Sequence, residues 1–397
     1  MKTNALRFLY LLFLLTLPFT IWPQDAATYL SVLNKEGKEP IPFIHQKLKD
    51  HDLILFDDAL HSALEPFEFY QELLKAKDNP VRYVFLEVFG IQVQPYLDAY
   101  FEDKKKDNTH LVKVFQDDFS GYGWRYKTYY DLLSTIWDLN QHLSADQRIK
   151  GIGVDQPVYW QGIHSREEYT IFQKSLTGRD YFMYKIIKET MEGFNKGKKG
   201  IFLTNTRHAY KHIRNKDDQL YWNCGTFFKQ WHPAKTYAVR IHNVTLSIEA
   251  QQETAQKNTS MQGLEKYVYQ WIRMEDGRWD EAFKQYGNRP VAFSLKNNVF
   301  GKATYVGNHM RNVKKGQSMY DAYDALLFLA PLEELHFSAK LDFFYTSTFK
   351  KELKRRIEIL EECQVGDFLK KNEVESLDEF IEQLSQYVGK SKNTLVE

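Results

Sequence analysis

Two histidines in this chain follow strand-like runs of apolar residues, at points where a strand should end. His61 closes the run LILFDDALH, and His208 closes the similar run GIFLTNTRH. Two further apolar runs end in carboxylates, YVFLE at Glu87 and IKGIGVD at Asp155. An imidazole with a pKa near neutrality can take a proton from water, and a carboxylate beside it can orient it. These four residues predict acid–base chemistry if the fold brings them together.

For these four residues to form one site, the four strands that they follow must end at the same edge of a sheet. In open α/β sheets, ligands bind outside the carboxyl ends of the strands. Glu87 is the most informative of the four, because a carboxylate that closes an apolar strand is costly to bury unless it is paired. Ordinary structural roles are the alternatives. His61 would then be a turn residue bound to local backbone, and Glu87 a strand-end acid that reaches water or an arginine.

Three acids and an arginine could contact a substrate or hold the catalytic groups. We predict Asp58, Asp155 and Asp180 as substrate-binding residues. Asp155 could instead shape a turn, and Asp180 could cap the helix that it opens. Arg179 has no such simple structural role. A guanidinium at a carboxylate-lined site could hold a substrate anion or orient Glu87.

Seven apolar runs separated by helical patterns predict the fold class. The runs span Leu53–Phe56, Tyr83–Val88, Ile149–Val154, Gly200–Thr204, Tyr237–Ile241, Val291–Leu295 and Ala325–Leu329. Most are continuous rather than alternating, as expected of strands that are covered on both faces. Between them, segments such as 65–76 and 179–194 repeat apolar residues at helical spacing. The sequence predicts a three-layer α/β fold, with a largely parallel sheet and helices on both faces.

One α/β domain with helical additions is the predicted organisation. We expect residues 25–345 to form this domain, with a helical insertion around 95–145. Residues 346–397 are predicted to form a C-terminal helical extension. Its last helix opens with Ser376-x-x-Glu379, the pattern of a capping box. No low-complexity linker divides the chain into independent domains.

The N-terminus resembles a secretory signal. Lys2 and Arg7 precede an apolar run from Phe8 to Trp22, which is short for a membrane-spanning helix. We predict that residues 1–24 are a signal peptide and that the exported chain is periplasmic or secreted. No stable membrane span would remain after signal cleavage. An uncleaved anchor is the alternative.

Composition and missing motifs narrow the function classes. A net charge of +1 with interspersed signs gives no electrostatic case for nucleic acid. The chain lacks a Gly-x-Ser-x-Gly elbow, a phosphate loop and a Gly-x-Gly-x-x-Gly turn, which argues against a common serine hydrolase, an NTPase and a dinucleotide enzyme. A small-molecule substrate is expected, and the oligomeric state is left open. Cys224 and Cys363 could pair once in an oxidising compartment.

The order of these motifs resembles that of the erythromycin esterase-like superfamily, which is related to the ChaN-like and Tiki proteins. The family opens with Gly-Glu-x-x-His, of which this chain keeps the histidine and loses the glycine. The matching positions are Asp57-Asp58-Ala-Leu-His61, Phe85-Leu-Glu87, Gly153-Val-Asp155, Arg179-Asp180, Asn205-Thr-Arg-His208 and Tyr323-Asp324. The resemblance covers roughly residues 53 to 331.

The resemblance implies hydrolysis of a macrolide lactone that needs no cofactor, and the departures of this chain from the family's first motif favour a different ester, lactone or amide. His61 would be the general base for water, and Glu87 would orient it. His208 and Arg179 would polarise the carbonyl or stabilise the oxyanion. A second hypothesis, from the ChaN and Tiki branch, is a metal- or haem-binding protein or metallohydrolase, with a divalent transition metal on His61, Glu87 and His208. A third is a catalytically inactive binding protein of the cell envelope.

Overall fold

A seven-stranded sheet forms the centre of the molecule. The computed structural model describes residues 25–250, 267–306, 313–385, 388–391 and 395, so the predicted signal segment 1–24 lies outside the described residues. The strands are β1 (Leu53–Asp57), β2 (Val81–Gly90), β3 (Lys150–Asp155), β4 (Lys199–Thr204), β5 (Thr236–Ile241), β6 (Thr245–Ala250), β7 (Tyr267–Ile272), β8 (Val291–Ser294) and β9 (Ala325–Phe328). The sheet has the order β3-β2-β4-β1-β5-β9-β8, and β6 and β7 form a separate antiparallel pair.

The strand pairing confirms the predicted fold class. Strand β1 is central and pairs in parallel with β4 on one side and β5 on the other. Strand β2 pairs in parallel with β3 and β4. Only β8, at one edge, runs antiparallel to its neighbour within this sheet. The carboxyl ends of β1, β2, β3 and β4 therefore meet at the same edge, as the sequence predicts.

The helices flank the strands in chain order. They are α1 (Ala26–Glu36), α2 (Pro40–Asp50), α3 (Glu65–Lys75), α4 (Gln94–Glu102), α5 (Thr109–Gln116), α6 (Lys127–Asn140), α7 (Arg166–Ser175), α8 (Arg179–Thr190), α9 (Thr206–Ala209), α10 (Cys224–Trp231), α11 (Arg278–Gln285), α12 (Val299–Lys302), α13 (Met319–Ala322), α14 (Ser347–Glu361), α15 (Val365–Lys371) and α16 (Leu377–Gln383). The insertion predicted around 95–145 consists of α4, α5 and α6. Every helix in the described ranges is too short or too polar to traverse a bilayer.

Alternate side chains of β1 enter two different cores, because successive side chains of a strand point to opposite faces. Ile54 and Phe56 pack with helices α2 to α6 on one face. Leu53 and Leu55 pack with α8 and α10 on the other. Helices α14, α15 and α16 contribute to the first of these cores, so the described part of segment 346–397 packs on the domain.

The β6–β7 pair was not predicted, and it lies beside the edge where β1 and β4 end, since residues from it line the cleft described below. Cys224 and Cys363 are both free thiols in the structure. Ser376 caps α16, because its hydroxyl accepts a hydrogen bond from Glu379 N at 3.1 Å. The predicted capping box is only half formed, since the Glu379 carboxylate accepts from Glu375 N at 2.7 Å and not from Ser376 N.

Arg356 ties the C-terminal helix α14 to the insertion. Its guanidinium donates to Asp117 Oδ1 at 2.8 Å, to Gln116 O at 2.7 Å and to Glu352 Oε1 at 2.9 Å. The side chain is only 1% exposed. Removing one member of a buried ion pair leaves its partner unpaired, which costs about 3–5 kcal/mol.

We therefore expect Arg356→Met to lower the free energy of unfolding by about 3–5 kcal/mol in urea titrations. The matched control is Lys354→Met, which changes an exposed residue of the same helix and should shift stability by less than about 0.5 kcal/mol. Equal effects of the two substitutions would show that α14 is not anchored through this arginine.

Candidate active site

Glu87 lies at the centre of the site, near the carboxyl end of β2. One carboxylate oxygen, Oε2, is 2.8 Å from His61 Nε2 and 3.4 Å from the hydroxyl of Thr204. The other, Oε1, is 2.6 Å from Arg179 Nη2 and 3.4 Å from His208 Nε2. The side chain is 4% exposed. Burial alone would raise the pKa of Glu87, but the charges of His61, His208 and Arg179 hold it well below its usual value.

The strand geometry explains how an acid fits here. The pairing of β2 with β3 is regular up to Leu86 and resumes at Gly90, so the chain shifts register next to Glu87. At Gly153 on β3, a side chain would meet the backbone oxygens of Phe89 and Gly90 at 2.7 and 3.0 Å. A glycine is therefore required for β2 to approach β3 at this point. The close approach of β2 to β3 therefore explains the glycine of the Gly153-Val-Asp155 motif.

His61 follows β1 through a tight turn. Asp57 Oδ1 accepts a hydrogen bond from the backbone of Ala59, which adopts a φ of 60°. The Nδ1 atom of His61 then lies 3.2 Å from Tyr129 Oη and 3.4 Å from Asp58 Oδ2. Burial lowers the pKa of His61, but Glu87 and Asp58 outweigh it and raise the pKa to about 10. His61 is therefore an imidazolium at neutral pH.

Arg179 joins two strand ends. It is the first residue of α8, and its guanidinium grips Asp155 at the end of β3, with Nε at 2.6 Å and Nη2 at 2.8 Å. The Nη2 atom also reaches Glu87. The ring of Phe119 covers the guanidinium, with its centroid 4.8 Å away. An arginine with two carboxylates and an aromatic ring around it is a fixed charge, and Asp155 holds it in place.

His208 is held from the opposite side. Its Nδ1 atom is 2.7 Å from Asp180 Oδ1, which also accepts a hydrogen bond from Cys224 N at 2.8 Å. Its Nε2 atom faces Glu87 and, at 3.5 Å, Arg179 Nη1. Burial lowers the pKa of His208, but Asp180 and Glu87 raise it to about 9. The side chain is only 5% exposed.

A second buried network supports the turn before His61. Asp57 Oδ2 accepts hydrogen bonds from Arg240 and from the hydroxyl of Tyr323, both at 2.5 Å, and Asp57 Oδ1 accepts from Thr206 at 3.0 Å. Asp57 is fully buried. Its carboxylate thus neutralises the charge of Arg240. The neighbouring Asp58 is equally buried, which raises its pKa, and its Oδ1 atom has no partner among the described residues.

A cleft of about 390 Å³ opens beside these groups. Its lining residues are Ala59, Leu60, His61, Asn205, Thr206, Arg207, Arg240, Val244, Leu246 and Trp271. Of the four residues predicted to be catalytic, only His61 lines the cleft, with 16% of its side chain exposed. The three others do not line it. Glu87 contacts His61, and Glu87 is contacted in turn by the buried His208 and by Arg179, whose side chain is 17% exposed.

The structure brings all seven predicted site residues together at one edge of the sheet. The three acids predicted to bind substrate contact protein groups instead. Asp58 contacts His61, and Asp155 contacts Arg179. Asp180 contacts His208 and the backbone N–H of Cys224. Two residues were not predicted to act here. Tyr129 comes from the insertion, and Asn205 Nδ2 lies 2.9 Å from His61 Nε2.

Sequence signals for these two residues differ. Asn205 belongs to the Asn-Thr-Arg-His motif, but its evident role is to cap α9, because its Oδ1 accepts from Arg207 N at 3.0 Å. That same bond turns its amide nitrogen towards His61. Tyr129 is one of several aromatic residues in the stretch WRYKTYY, and nothing in the sequence singles it out.

A metal ion on His61, Glu87 and His208 would need open space between their ligand atoms. The guanidinium of Arg179 occupies the space between two of the three, at 2.6 Å from Glu87 Oε1 and 3.5 Å from His208 Nε2. This arrangement does not fit a resident divalent ion. Among the described residues, the group whose possible metal-ligand atoms all lie within 4.8 Å of one another is Asp103, Asp107 and His110. This group belongs to the insertion and not to the site around Glu87.

Comparison with known proteins gives matches in structure alone. No family model matches the chain, and no curated protein matches it significantly. A crystal structure of a Bacillus cereus protein covers 77% of this chain and 98% of its own, with a TM-score of 0.50 and 13% identity. A succinoglycan biosynthesis protein covers 76% and 96%, with a TM-score of 0.50 and 8% identity. At these identities the two structures show a shared fold.

An erythromycin esterase is also among the solved structures that match. It is a mutant of the esterase EreC in its open conformation, with a TM-score of 0.47, 10% identity, and coverage of 72% of this chain and 92% of that one.

The raised pKa values of two histidines make stability depend on pH. Each binds its proton more tightly in the folded chain than in the unfolded chain, where the pKa is 6.5. Their stabilisation is complete below pH 6.5 and is lost as the pH rises through about 9 for His208 and about 10 for His61.

We therefore expect the free energy of unfolding to fall between pH 6.5 and 9, by at most about 1.4 kcal/mol per pH unit for each histidine. His61→Asn should make this slope shallower in urea titrations. His142→Asn changes an exposed histidine and should keep the original slope. A slope that is identical in all three proteins would contradict the charged His61–Glu87 pair.

Proposed function

We propose that this chain is an exported hydrolase that acts on an ester, lactone or amide without a metal ion. The observation that carries the proposal is the position of His61. It is the one member of the charged network that lines the cleft, and buried residues hold both of its ring nitrogens in place. An imidazole at the mouth of a cleft, backed by a carboxylate, is the usual arrangement for activating water.

The reaction starts when His61 is neutral. Nδ1–H then donates towards Tyr129 or Asp58. Glu87 Oε2 and the Asn205 amide are the neighbours of Nε2, so a water must first take the place of that amide, and the lone pair of Nε2 then accepts a proton from this water. The hydroxide oxygen bonds to the substrate carbonyl carbon, and the carbonyl π electrons move to its oxygen. When the tetrahedral intermediate collapses, the bond to the leaving alcohol or amine breaks and that group takes the proton from Nε2.

The other residues of the network act through His61. Glu87 stabilises the imidazolium that forms during the reaction, and Arg179 and His208 hold Glu87. Asp155 and Asp180 position Arg179 and His208 in turn, so we propose that they orient the site rather than bind substrate. The amide of Asn205 is the donor nearest to Nε2 and is suited to bind the developing oxyanion.

His61→Asn tests the base directly. We expect it to reduce hydrolysis of 4-nitrophenyl butyrate by about 10²–10⁴-fold, because it removes general-base catalysis. The circular dichroism spectrum should be unchanged, since His61 is partly exposed. His142→Asn should retain full activity.

Two outcomes would overturn this assignment. Full activity in His61→Asn would exclude His61 as the base, and loss of wild-type activity with EDTA, restored by a transition metal, would favour the metallohydrolase instead. No activity in the wild type on a panel of esters, lactones and amides would favour the envelope binding protein.

The pH dependence follows from the charge on His61. Because the base must lose its proton and its pKa is about 10, we expect kcat/KM to rise with pH, by about tenfold per unit between pH 7 and 9. Glu87→Gln removes the carboxylate that raises this pKa, so the rise should move to lower pH. A wild-type profile that is flat across this range would contradict His61 as the base.

A further inference from the structure

One positive charge in the cleft has no ion-pair partner among the described residues. Arg207 is exposed and lines the cleft beside His61. Arg207 takes part in none of the ion pairs within 4.0 Å among the described residues. Partial burial lowers its pKa, and the more distant charges of Glu87 and Asp180 act in the opposite direction. The two other arginines of the site contrast with it, because Arg179 binds Glu87 and Asp155, and Arg240 binds Asp57. The charge of Arg207 is therefore available to a ligand.

The backbone of Arg207 is fixed on both sides. Its N–H donates to Asn205 Oδ1 at 3.0 Å, and its carbonyl oxygen accepts from Asn223 Nδ2 at 2.8 Å. Asn205 in turn contacts His61 Nε2. The guanidinium therefore extends from a backbone position that hydrogen bonds hold in place. One of these bonds is to Asn205, which contacts the proposed base His61.

The other wall of the cleft is apolar. It is formed by Val244, Leu246 and Trp271, which come from the β6–β7 pair and the residue before it, together with Leu60. Val244 is fully buried, and Leu60 and Trp271 pack against its cluster. Leu246 and Trp271 are only partly buried, so they present apolar surface to whatever enters.

We propose that the cleft selects substrates that join an apolar body to a carboxylate. The carboxylate binds the guanidinium of Arg207, which can form two parallel hydrogen bonds to it. The apolar body lies against Leu246 and Trp271, and the scissile carbonyl faces His61. This inference rests on the proposed hydrolase, and it assigns to that site the class of substrate it takes.

Binding of two matched ligands tests the carboxylate site without requiring that the protein be a hydrolase. The probes are 4-phenylbutyrate and its neutral analogue 4-phenylbutanamide, measured by isothermal titration calorimetry with the full chain. We expect the acid to bind about ten- to a hundredfold more tightly, as a charge-assisted hydrogen bond allows. Arg207→Gln should abolish this preference, and Arg207→Lys should keep part of it. Arg148→Gln changes an exposed arginine elsewhere and should keep it all.

Trp271→Ala provides the test of the apolar wall. It should weaken the binding of 4-phenylbutyrate but not that of acetate. The circular dichroism spectrum of the variant shows whether the fold is kept. Equal affinity of the acid and the amide for the wild type, or a preference that survives Arg207→Gln, would overturn the inference.

Turnover of mono-4-nitrophenyl glutarate completes the experiment. Faster hydrolysis of this anionic ester than of 4-nitrophenyl butyrate, lost in Arg207→Gln through a higher KM, supports both proposals. Arg207-dependent binding of 4-phenylbutyrate without any turnover supports the carboxylate site and counts against the hydrolase. Equal turnover of the two esters supports the hydrolase and overturns the carboxylate site.

Discussion

The carboxylate of Glu87 is the group on which the site depends. A buried carboxylate is stable only when charges and hydrogen bonds replace its hydration. Here three cationic side chains surround it, from the turn after β1, the start of α8 and the helix after β4. Each of these cations is held by an acid of its own, which are Asp58, Asp155 and Asp180. Positive and negative side chains therefore alternate through the network, and they fix the position and the protonation of His61. Of the residues around Glu87, His61 is the one that lines the cleft.

The sheet topology makes this arrangement possible. Residues far apart in the chain meet because β1, β2, β3 and β4 run in parallel and end at one edge. The same topology separates two tasks. The buried side of the edge carries the charges that set the pKa of His61, while the β6–β7 pair and Arg207 form the walls of the cleft in front of it. Changes in the walls can therefore alter what binds without disturbing the network.

Much of the fold and the core of the site could be predicted from sequence. Most of the seven main strands are continuous apolar runs, and a glutamate or histidine at the end of such a run is conspicuous. The β6–β7 pair was harder to find, because β6 alternates apolar and polar residues and the two strands lie on either side of a polar stretch. Asn205 and Tyr129 could not be assigned, since their contacts with His61 depend on tertiary packing and not on local spacing. The same holds for Arg207, whose lack of an ion-pair partner among the described residues is visible only in three dimensions.

The central claim is that Glu87 keeps His61 protonated at neutral pH, and nuclear magnetic resonance can test it directly. In a protein with ¹⁵N-labelled histidine, the spectrum of His61→Asn identifies the ring signals of His61 by their absence. At pH 7 the wild-type signals should be those of an imidazolium, with protons on both ring nitrogens, and they should move towards neutral imidazole only as the pH approaches about 10. A single neutral tautomer at pH 7 would contradict the account.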